Sequence, residues 1–170
     1  MENKTIFAQP SYILFDWGGT LMERMPCWIA KEKRWTNEKP VCYATELITH
    51  LHTAGYRLGL ASNASEGDEQ SIRTCLDGMN IGHLFERIYT WRSVGSPKPW
   101  PPFWQYILRD LALPPEKIMM IGDDWMSDVW GAQEAGMYGI WFNQYADEVR
   151  ERERVRTVHR LRDVETLIGL

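Results

Sequence analysis

The residues with the clearest chemical potential in this sequence are acidic, and they form two groups far apart along the chain. Asp16 follows a short apolar run, and Gly122-Asp123-Asp124 ends a second apolar run, with Asp128 shortly after it. Carboxylate oxygens are the ligands that Mg²⁺ prefers in proteins, usually in company with phosphate. If the fold brings the two groups together, they predict a magnesium site.

Polar residues between these two groups suit the binding of phosphate. Thr20 and Ser62 offer hydroxyls, Asn63 follows Ser62 directly, and Lys98 lies in a loop between two prolines. A lysine ammonium and hydroxyl groups donate hydrogen bonds to phosphoryl oxygens. Phosphoryl transfer depends mainly on positioning and charge neutralisation, and these residue types supply both. The pattern therefore indicates phosphoryl-transfer chemistry.

Short apolar runs precede most of these residues and are typical of buried strands in a parallel sheet. We expect five such strands, over residues 12–15, 57–61, 87–91, 117–121 and 138–142. Helical patterns lie between them, one of them beginning at Pro101 or Pro102 and another capped by Ser127 or Asp128. This alternation predicts a three-layer, Rossmann-like α/β domain with a mainly parallel five-stranded sheet. Ligand sites in such sheets lie at the carboxyl ends of the strands.

The remaining segments fit one domain over residues 1–170. Residues 155–161 suggest a short additional edge strand, and residues 163–170 a closing helix. Residues 22–40 have no clear periodicity, so we expect an irregular insert that acts as a short flap over the site or is merely a solvated loop. The residues of this insert that could contact substrate are Arg24, Trp28, Lys31, Lys33, Arg34 and Trp35.

Composition narrows the classes of partner. The net charge of −4 argues against a nucleic-acid partner. The longest apolar runs are too short to span a membrane, and the polar first ten residues do not resemble a signal peptide, so we expect a cytoplasmic protein. The three cysteines lack paired spacing, which is typical of reduced thiols. Nine tryptophans make the chain a candidate for self-association if Trp28, Trp35 or Trp100 forms an exposed patch.

Four motifs in order resemble those of the haloacid dehalogenase (HAD) superfamily. The first is a strand followed by Asp16-Trp17-Gly18-Gly19-Thr20, and the second is Leu60-Ala61-Ser62-Asn63. The third is Lys98-Pro99 before a helix. The fourth is Gly122-Asp123, with Asp128 and Ala135-Gly136-Met137 following it. Each motif alone is modest, but together they cover most of the chain.

The resemblance implies a role for each matching residue. Asp16 would be the nucleophile that forms an aspartyl-phosphate, and Lys98 would neutralise charge beside it. Ser62 and the Asn63 amide would hold phosphoryl oxygens. The residues implied as Mg²⁺ ligands are Asp16, Asp123 and Gly18 through its carbonyl, with Asp128 and Asp124 acting behind them.

Gly18 is the departure from the pattern. Phosphatases of this superfamily carry a second Asp there, which protonates the leaving oxygen and later activates water. General acid–base catalysis contributes roughly 10²–10⁴-fold, so its loss should impair hydrolysis of alkyl phosphate esters. Because the implied metal ligand at this position is the backbone carbonyl, magnesium binding does not depend on the missing side chain.

Three functions are compatible with this departure. One is a phosphohydrolase that acts on acyl or aryl phosphates, or that uses Asp124 or a flap residue as the acid. Another is cleavage of a carbon–phosphorus bond, as in phosphonoacetaldehyde hydrolase, for which Lys31, Lys33 or Lys39 would have to replace a Schiff-base lysine. The third is binding of metal and phosphate, or of a protein partner, without turnover. Haloacid dehalogenation is the least favoured because it does not need the acidic cluster.

The spacing of the motifs leaves no room for a large cap domain. Only 45 residues separate Asp16 from Ser62, and 35 separate Ser62 from Lys98, and each interval already contains a helix and a strand. We therefore expect a capless member of the superfamily, whose site accepts a large substrate or is covered by a neighbouring subunit.

Overall fold

A six-stranded parallel sheet forms the centre of the protein. The computed structural model describes residues 10–24, 39–63 and 69–170 in full and residues 27–29 and 34–36 through their backbone. The strand order is β5-β4-β1-β6-β7-β8, and every neighbouring pair is parallel. The strands are β1 Tyr12–Phe15, β4 Arg57–Ser62, β5 Phe85–Thr90, β6 Ile118–Gly122, β7 Tyr138–Phe142 and β8 Val155–Val158. The predicted count of five was one too low, because the edge segment β8 pairs with β7 as a full member of the sheet.

Helices connect the strands. They are α1 Ala44–Thr53, α2 Glu69–Gly78, α3 Trp91–Val94, α4 Pro101–Leu111, α5 Gly131–Glu134 and α6 Asp163–Ile168. A π-helical segment, Trp125–Trp130, leads into α5, and short 3₁₀ turns cover Gly82–Leu84 and Pro115–Lys117. Thr90 and Ser93 form a capping box that starts α3, so the predicted strand over 87–91 ends at Thr90 and the loop that carries Lys98 begins only after α3.

The side chains of β1 show how the layers form. Ile13 and Phe15 pack in one apolar cluster with residues of α1, α2 and α6, whereas Tyr12 and Leu14 pack in another with α4. Successive side chains of a strand point to opposite faces of the sheet, so β1 is covered on both sides. This explains why its sequence is apolar throughout and confirms the predicted three-layer Rossmann-like architecture.

An antiparallel two-stranded ribbon lies within the predicted insert. It consists of β2 Cys27–Ile29 and β3 Arg34–Thr36, so the expectation of a fully irregular segment over 22–40 was wrong. The residues that flank the ribbon, Met22 and Pro40, bridge to each other, and Met22 also bridges to Gly18 in the first motif. Lys31 and Lys33, and the side chains of Trp28, Arg34 and Trp35, lie outside the described part of the structure. The ribbon therefore starts beside the carboxyl end of β1.

In the described part of the chain, no helix has both the length and the apolar character that crossing a membrane requires.

Candidate active site

The predicted site residues meet at the carboxyl ends of three adjacent strands. β1 pairs with β4 on one side and β6 on the other, so Asp16, Ser62 and Asp123 follow or end neighbouring strands. The Asp16 amide donates to the Ile121 carbonyl at 2.9 Å, which extends the β1–β6 ladder to Asp16 itself. Ser62 is buried at the last position of β4. Parallel pairing is thus what joins the two acidic groups of the sequence.

Lys98 lies at the centre of this group with its ammonium almost fully buried. Its Nζ donates to Asp16 Oδ1 at 2.8 Å, to Asp128 Oδ1 at 2.6 Å and to the Ala61 carbonyl at 2.6 Å. Lys98 is only 3% exposed. An ammonium has three hydrogens to donate, so these three acceptors satisfy it completely. The lysine is therefore held in one orientation beside the Asp16 carboxylate.

Asn63 holds the Lys98 backbone through its side chain. Asn63 Nδ2 donates to the Lys98 carbonyl at 2.9 Å, and the Lys98 amide donates to Asn63 Oδ1 at 2.8 Å. The sequence motif suggested a role for the Asn63 backbone amide and did not indicate this side-chain contact. The paired hydrogen bonds link the end of β4 to the loop that carries Lys98.

Asp128 is buried and is bound on both carboxylate oxygens. Its Oδ1 accepts from Lys98, and its Oδ2 accepts from the Asp124 amide at 3.0 Å. Asp124 caps the following helical segment, because its Oδ1 accepts from the Ser127 amide at 2.8 Å. The expectation that Ser127 or Asp128 is the cap was wrong, since Asp128 turns inward to the lysine. Sequence spacing alone does not distinguish these acidic residues.

Asp123 is positioned by contacts from two other segments, those that carry Thr20 and Trp141. Its amide donates to Thr20 Oγ1 at 3.0 Å, and the Thr20 hydroxyl lies 3.5 Å from its Oδ1. Trp141 Nε1 donates to the Asp123 carbonyl at 2.9 Å. Thr20, predicted to bind phosphate, is thus engaged with Asp123. Trp141 lies in the apolar run of β7, so its sequence context carried no indication of a polar contact.

Arg24 contacts two of the predicted metal ligands. Its Nε donates to the Gly18 carbonyl at 3.0 Å, and its Nη2 donates to Asp123 Oδ1 at 2.9 Å. The side chain of Arg24 is 54% exposed, so this is a surface ion pair that reaches into the site. Arg24 is one of the residues predicted as possible substrate contacts, and no sequence pattern indicates its contacts with Gly18 and Asp123.

The acidic side chains are close enough to share one metal ion. Asp16, Asp123 and Asp128 each offer a carboxylate oxygen, and these oxygens all lie within 4.8 Å of one another. Such a set of hard oxygen donors suits Mg²⁺. The Gly18 carbonyl, held beside Asp123 through Arg24, adds a further oxygen at the same edge. The residues present therefore fit a magnesium ion.

The pKa values of the buried groups reflect burial first and the charges of their neighbours second. Burial alone would lower the pKa of Lys98, but the carboxylates of Asp128 and Asp16 outweigh it and raise that pKa. Burial, together with the charge of Asp16 and against the opposing effect of Lys98, raises the pKa of Asp128 to about 8. Burial also raises the pKa of Asp123, although Arg24 opposes the shift. A bound cation would relieve this repulsion between carboxylates.

The position of a side chain on Gly18 is open among the residues that the structure describes. A Cβ atom placed on Gly18 would meet no atom of these residues within 4 Å. By contrast, a Cβ on Gly19, whose φ is +90°, would lie 2.2 Å from Asp123 Oδ2. Gly19 is therefore required by its backbone conformation and by the close approach of Asp123, whereas no described neighbour requires a glycine at position 18.

Comparison with known proteins gives a match to a family model described as haloacid dehalogenase-like hydrolase, over residues 30–142. The matched stretch contains Ser62, Lys98, Asp123 and Asp128, and it begins after Asp16. A glyceraldehyde 3-phosphate phosphatase from Methanothermobacter thermautotrophicus is 33% identical over 118 residues, which are 68% of this chain and 49% of the relative. A phosphoserine phosphatase from Thermus thermophilus is 29% identical over 101 residues, which are 59% of this chain and 39% of the relative. The chain thus spans about half, or less, of the length of these curated relatives.

Solved structures share the fold at low sequence identity. YfnB from Bacillus subtilis, solved bound to magnesium, superposes with a TM-score of 0.76 at 14% identity, covering 95% of this chain and 100% of that one. A hydrolase of the same superfamily from Ehrlichia chaffeensis has a TM-score of 0.70 at 18% identity, covering 95% of this chain and 97% of that one. At these identities the likeness concerns the fold.

Proposed function

The chain belongs to the haloacid dehalogenase-like hydrolase family, and on that premise we propose that it is a Mg²⁺-dependent phosphatase acting through an aspartyl-phosphate. The observation that carries the proposal is the placement of the Asp16 carboxylate 2.8 Å from the buried Lys98 ammonium, beside Asp123 and Asp128. Relatives named as phosphatases support the same reaction class. The site thus combines a nucleophile, a fixed positive charge and a set of metal ligands.

In the proposed reaction, a carboxylate oxygen of Asp16 attacks phosphorus, and the bond from phosphorus to the leaving oxygen breaks. Lys98 holds Asp16 Oδ1 and so fixes the direction of the carboxylate while it neutralises charge beside it. Ser62 and the Asn63 amide donate to the phosphoryl oxygens. Water then attacks the phosphorus of the aspartyl-phosphate, which releases inorganic phosphate and restores the Asp16 carboxylate.

The metal-binding role falls to Asp16, Asp123 and the Gly18 carbonyl, with Asp128 behind them. Mg²⁺ held there would supply positive charge against the phosphoryl oxygens. Thr20 and Trp141 hold Asp123 through hydrogen bonds, so we assign them to positioning that ligand. Asp128 orients Lys98, and Asp124 caps the helical segment that carries Asp128.

The absence of a side chain at Gly18 narrows the substrate class. The relatives are named for alkyl phosphates, glyceraldehyde 3-phosphate and phosphoserine, whose leaving oxygen needs a proton. Asp124, the nearby alternative acid, is bound to the Ser127 amide as a helix cap. We therefore propose acyl or aryl phosphates as substrates, because their leaving groups depart with little protonation.

The test is metal-dependent turnover. We would measure release of phosphate from p-nitrophenyl phosphate and acetyl phosphate with Mg²⁺ and with EDTA, for the wild type, Asp16→Asn and the exposed control Asp147→Asn. We expect turnover only with Mg²⁺, a loss of about 10³-fold or more in Asp16→Asn on the scale of other nucleophile removals, and no change in Asp147→Asn. Equal rates for the wild type and Asp16→Asn would refute the covalent mechanism.

Binding without turnover is the second candidate, and the absence of an acid at Gly18 is the observation that favours it. It predicts that the protein binds Mg²⁺ but releases no phosphate from either substrate above the buffer rate. A phosphonatase reaction has less support. Of the three candidate lysines, the structure describes Lys39 alone, and this residue is exposed and follows the ribbon.

We further propose a cytoplasmic protein whose partners are small phosphorylated molecules, with no nucleic acid or membrane partner. The net charge of −4 supports this. Trp100 is 62% exposed. We therefore propose self-association through the surface around Trp100, which analytical sedimentation would test.

A further inference from the structure

Arg24 is bound to the same two groups that we propose as metal ligands. Its guanidinium donates through Nε to the Gly18 carbonyl at 3.0 Å and through Nη2 to Asp123 Oδ1 at 2.9 Å. One planar guanidinium thus bridges a carbonyl oxygen and a carboxylate oxygen from two different strand ends. Arginine is suited to such bridging because its donors form a rigid fork.

We infer that Arg24 is an intramolecular competitor of the divalent cation at Gly18 and Asp123, so that Mg²⁺ binds only as the guanidinium withdraws. The inference rests on the proposed function for the location of the metal site. It adds a residue that sets how tightly the metal is held and that keeps Asp123 paired when the metal has left.

Charge makes simultaneous occupation unfavourable. A guanidinium within hydrogen-bond distance of Asp123 Oδ1 lies a few ångströms from any cation on that carboxylate, and like charges at this range repel. Arg24 also uses lone pairs of both oxygens that the ion would need. The guanidinium packs tightly there, since a Cβ on Gly19 would lie 2.5 Å from Arg24 Nε.

The surroundings of Arg24 allow the side chain to leave without moving the backbone. More than half of the side chain is exposed, so it can reach solvent by rotation about its own bonds. The backbone beside it is fixed, because the Glu23 amide donates to the Lys39 carbonyl at 2.8 Å and Met22 bridges to Pro40. The side chain of Arg24 can therefore rotate away from the site while its backbone stays in place.

The strength of the competition should be modest. The side chain of Arg24 in its ion pair with Asp123 is more than half exposed, and exposed ion pairs are weak. With the hydrogen bond to the Gly18 carbonyl added, we expect removal of Arg24 to lower the Kd for Mg²⁺ by about threefold to tenfold, which corresponds to about 0.7–1.4 kcal/mol.

The experiment is calorimetric titration of the full chain with Mg²⁺, checked by the paramagnetic resonance of bound Mn²⁺, with no substrate present. The variants are Arg24→Gln, which removes the charge, and Arg24→Lys, which keeps the charge but cannot bridge both oxygens. The matched control is Arg109→Gln, which removes an exposed arginine from the last turn of α4. Circular dichroism of each variant verifies folding.

We expect the Kd to fall in Arg24→Gln, to fall less in Arg24→Lys and to stay unchanged in Arg109→Gln. An equal or higher Kd in Arg24→Gln would overturn the competition while leaving the proposed phosphatase intact. Tighter metal binding in Arg24→Gln without phosphate release by any variant would support the competition and refute the phosphatase. If neither the wild type nor Arg24→Gln binds metal, both fail.

Discussion

Asn63 and Lys98 are joined by a reciprocal pair of hydrogen bonds, at 2.9 Å from Asn63 Nδ2 to the Lys98 carbonyl and at 2.8 Å from the Lys98 amide to Asn63 Oδ1. The contact joins the end of β4 to a loop with no strand or helix of its own. The buried ammonium of Lys98 reaches Asp16 only if the Lys98 backbone is fixed. The side-chain amide of Asn63 is therefore a positioning group for the proposed catalytic lysine.

Asn63→Ala should therefore weaken both stability and turnover. Loss of two hydrogen bonds to a half-buried backbone is expected to lower the free energy of unfolding by about 1–3 kcal/mol. Turnover of p-nitrophenyl phosphate should fall by more than the loss of folded protein explains. Urea unfolding and steady-state kinetics measure the two effects. Asn63→Asp, which keeps the acceptor for the Lys98 amide, should lose less stability, and a wild-type rate in Asn63→Ala would contradict the positioning role.

Without metal, stability should decline as the pH rises from about 4 to about 8. Burial raises the pKa of Asp128 to about 8, so in this interval the folded state binds a proton that the unfolded state releases. A group with a raised pKa stabilises the fold below its unfolded pKa and loses that contribution as the pH rises through the folded value. The slope from one proton is at most about 1.4 kcal/mol per pH unit. Urea unfolding in EDTA at several pH values measures it.

The matched variant for this pH dependence is Asp128→Asn, which cannot titrate at the same position. We expect the unfolding free energy of the wild type to fall relative to that of the variant as the pH rises across this interval. A constant difference would show that Asp128 keeps an ordinary pKa.

Gly18→Asp should raise the rate on alkyl phosphates. A Cβ on Gly18 meets no atom of the described residues within 4 Å, so the new side chain starts from an unobstructed position beside the site. General acid catalysis contributes roughly 10²–10⁴-fold, and an imperfectly placed acid should still give about tenfold on glycerol phosphate. The gain on p-nitrophenyl phosphate should be smaller, because its leaving group needs less protonation. Phosphate release measures both rates.

Two controls accompany Gly18→Asp. Gly18→Asn has nearly the same size but no proton to transfer, and Gly78→Asp adds the same charge at another open position, at the end of α2. Neither should gain activity on glycerol phosphate. A folded Gly18→Asp protein without a gain would show that something other than the acid limits the reaction.

Gly122→Ala should disturb Asp128. The added Cβ would lie 2.2 Å from Asp128 Oδ2, so the buried carboxylate must leave the position in which it accepts from Lys98 and the Asp124 amide. Overpacking of this kind costs about 1–3 kcal/mol of stability, and turnover should fall with it. Thermal unfolding and kinetics measure the two losses. Gly78→Ala, where the Cβ meets no atom of the described residues within 4 Å, should leave turnover unchanged and should not lower stability; equal losses in the two variants would refute the steric argument.

The meeting of Asp16 with Asp123 could be predicted from sequence, because each follows an apolar run typical of a buried parallel strand. Neighbouring parallel strands end at one edge, so residues that follow them converge whatever lies between. The segment over 138–142 was predicted to the residue for the same reason, since all of β7 is buried.

Contacts that depend on the path of a loop could not be predicted. Arg24 reaches the Gly18 carbonyl because the chain turns over residues 19–21 and Met22 then bridges back to Gly18, and no pattern in the sequence specifies where the Arg24 side chain goes. The hydroxyl of Thr20 could face a ligand or a neighbouring residue, and the sequence does not distinguish the two. The ribbon β2–β3 has only three residues in each strand, too few to show an alternating pattern.

Strand β1 lies inside the sheet, with β4 and β6 paired along its whole length and both faces covered. Its amide hydrogens can therefore exchange with solvent only when the domain as a whole opens. Asp16 continues this ladder through its own amide, so the proposed nucleophile is anchored to a strand whose exchange reports global unfolding, while the side chain of Arg24 beside it is more than half exposed to solvent.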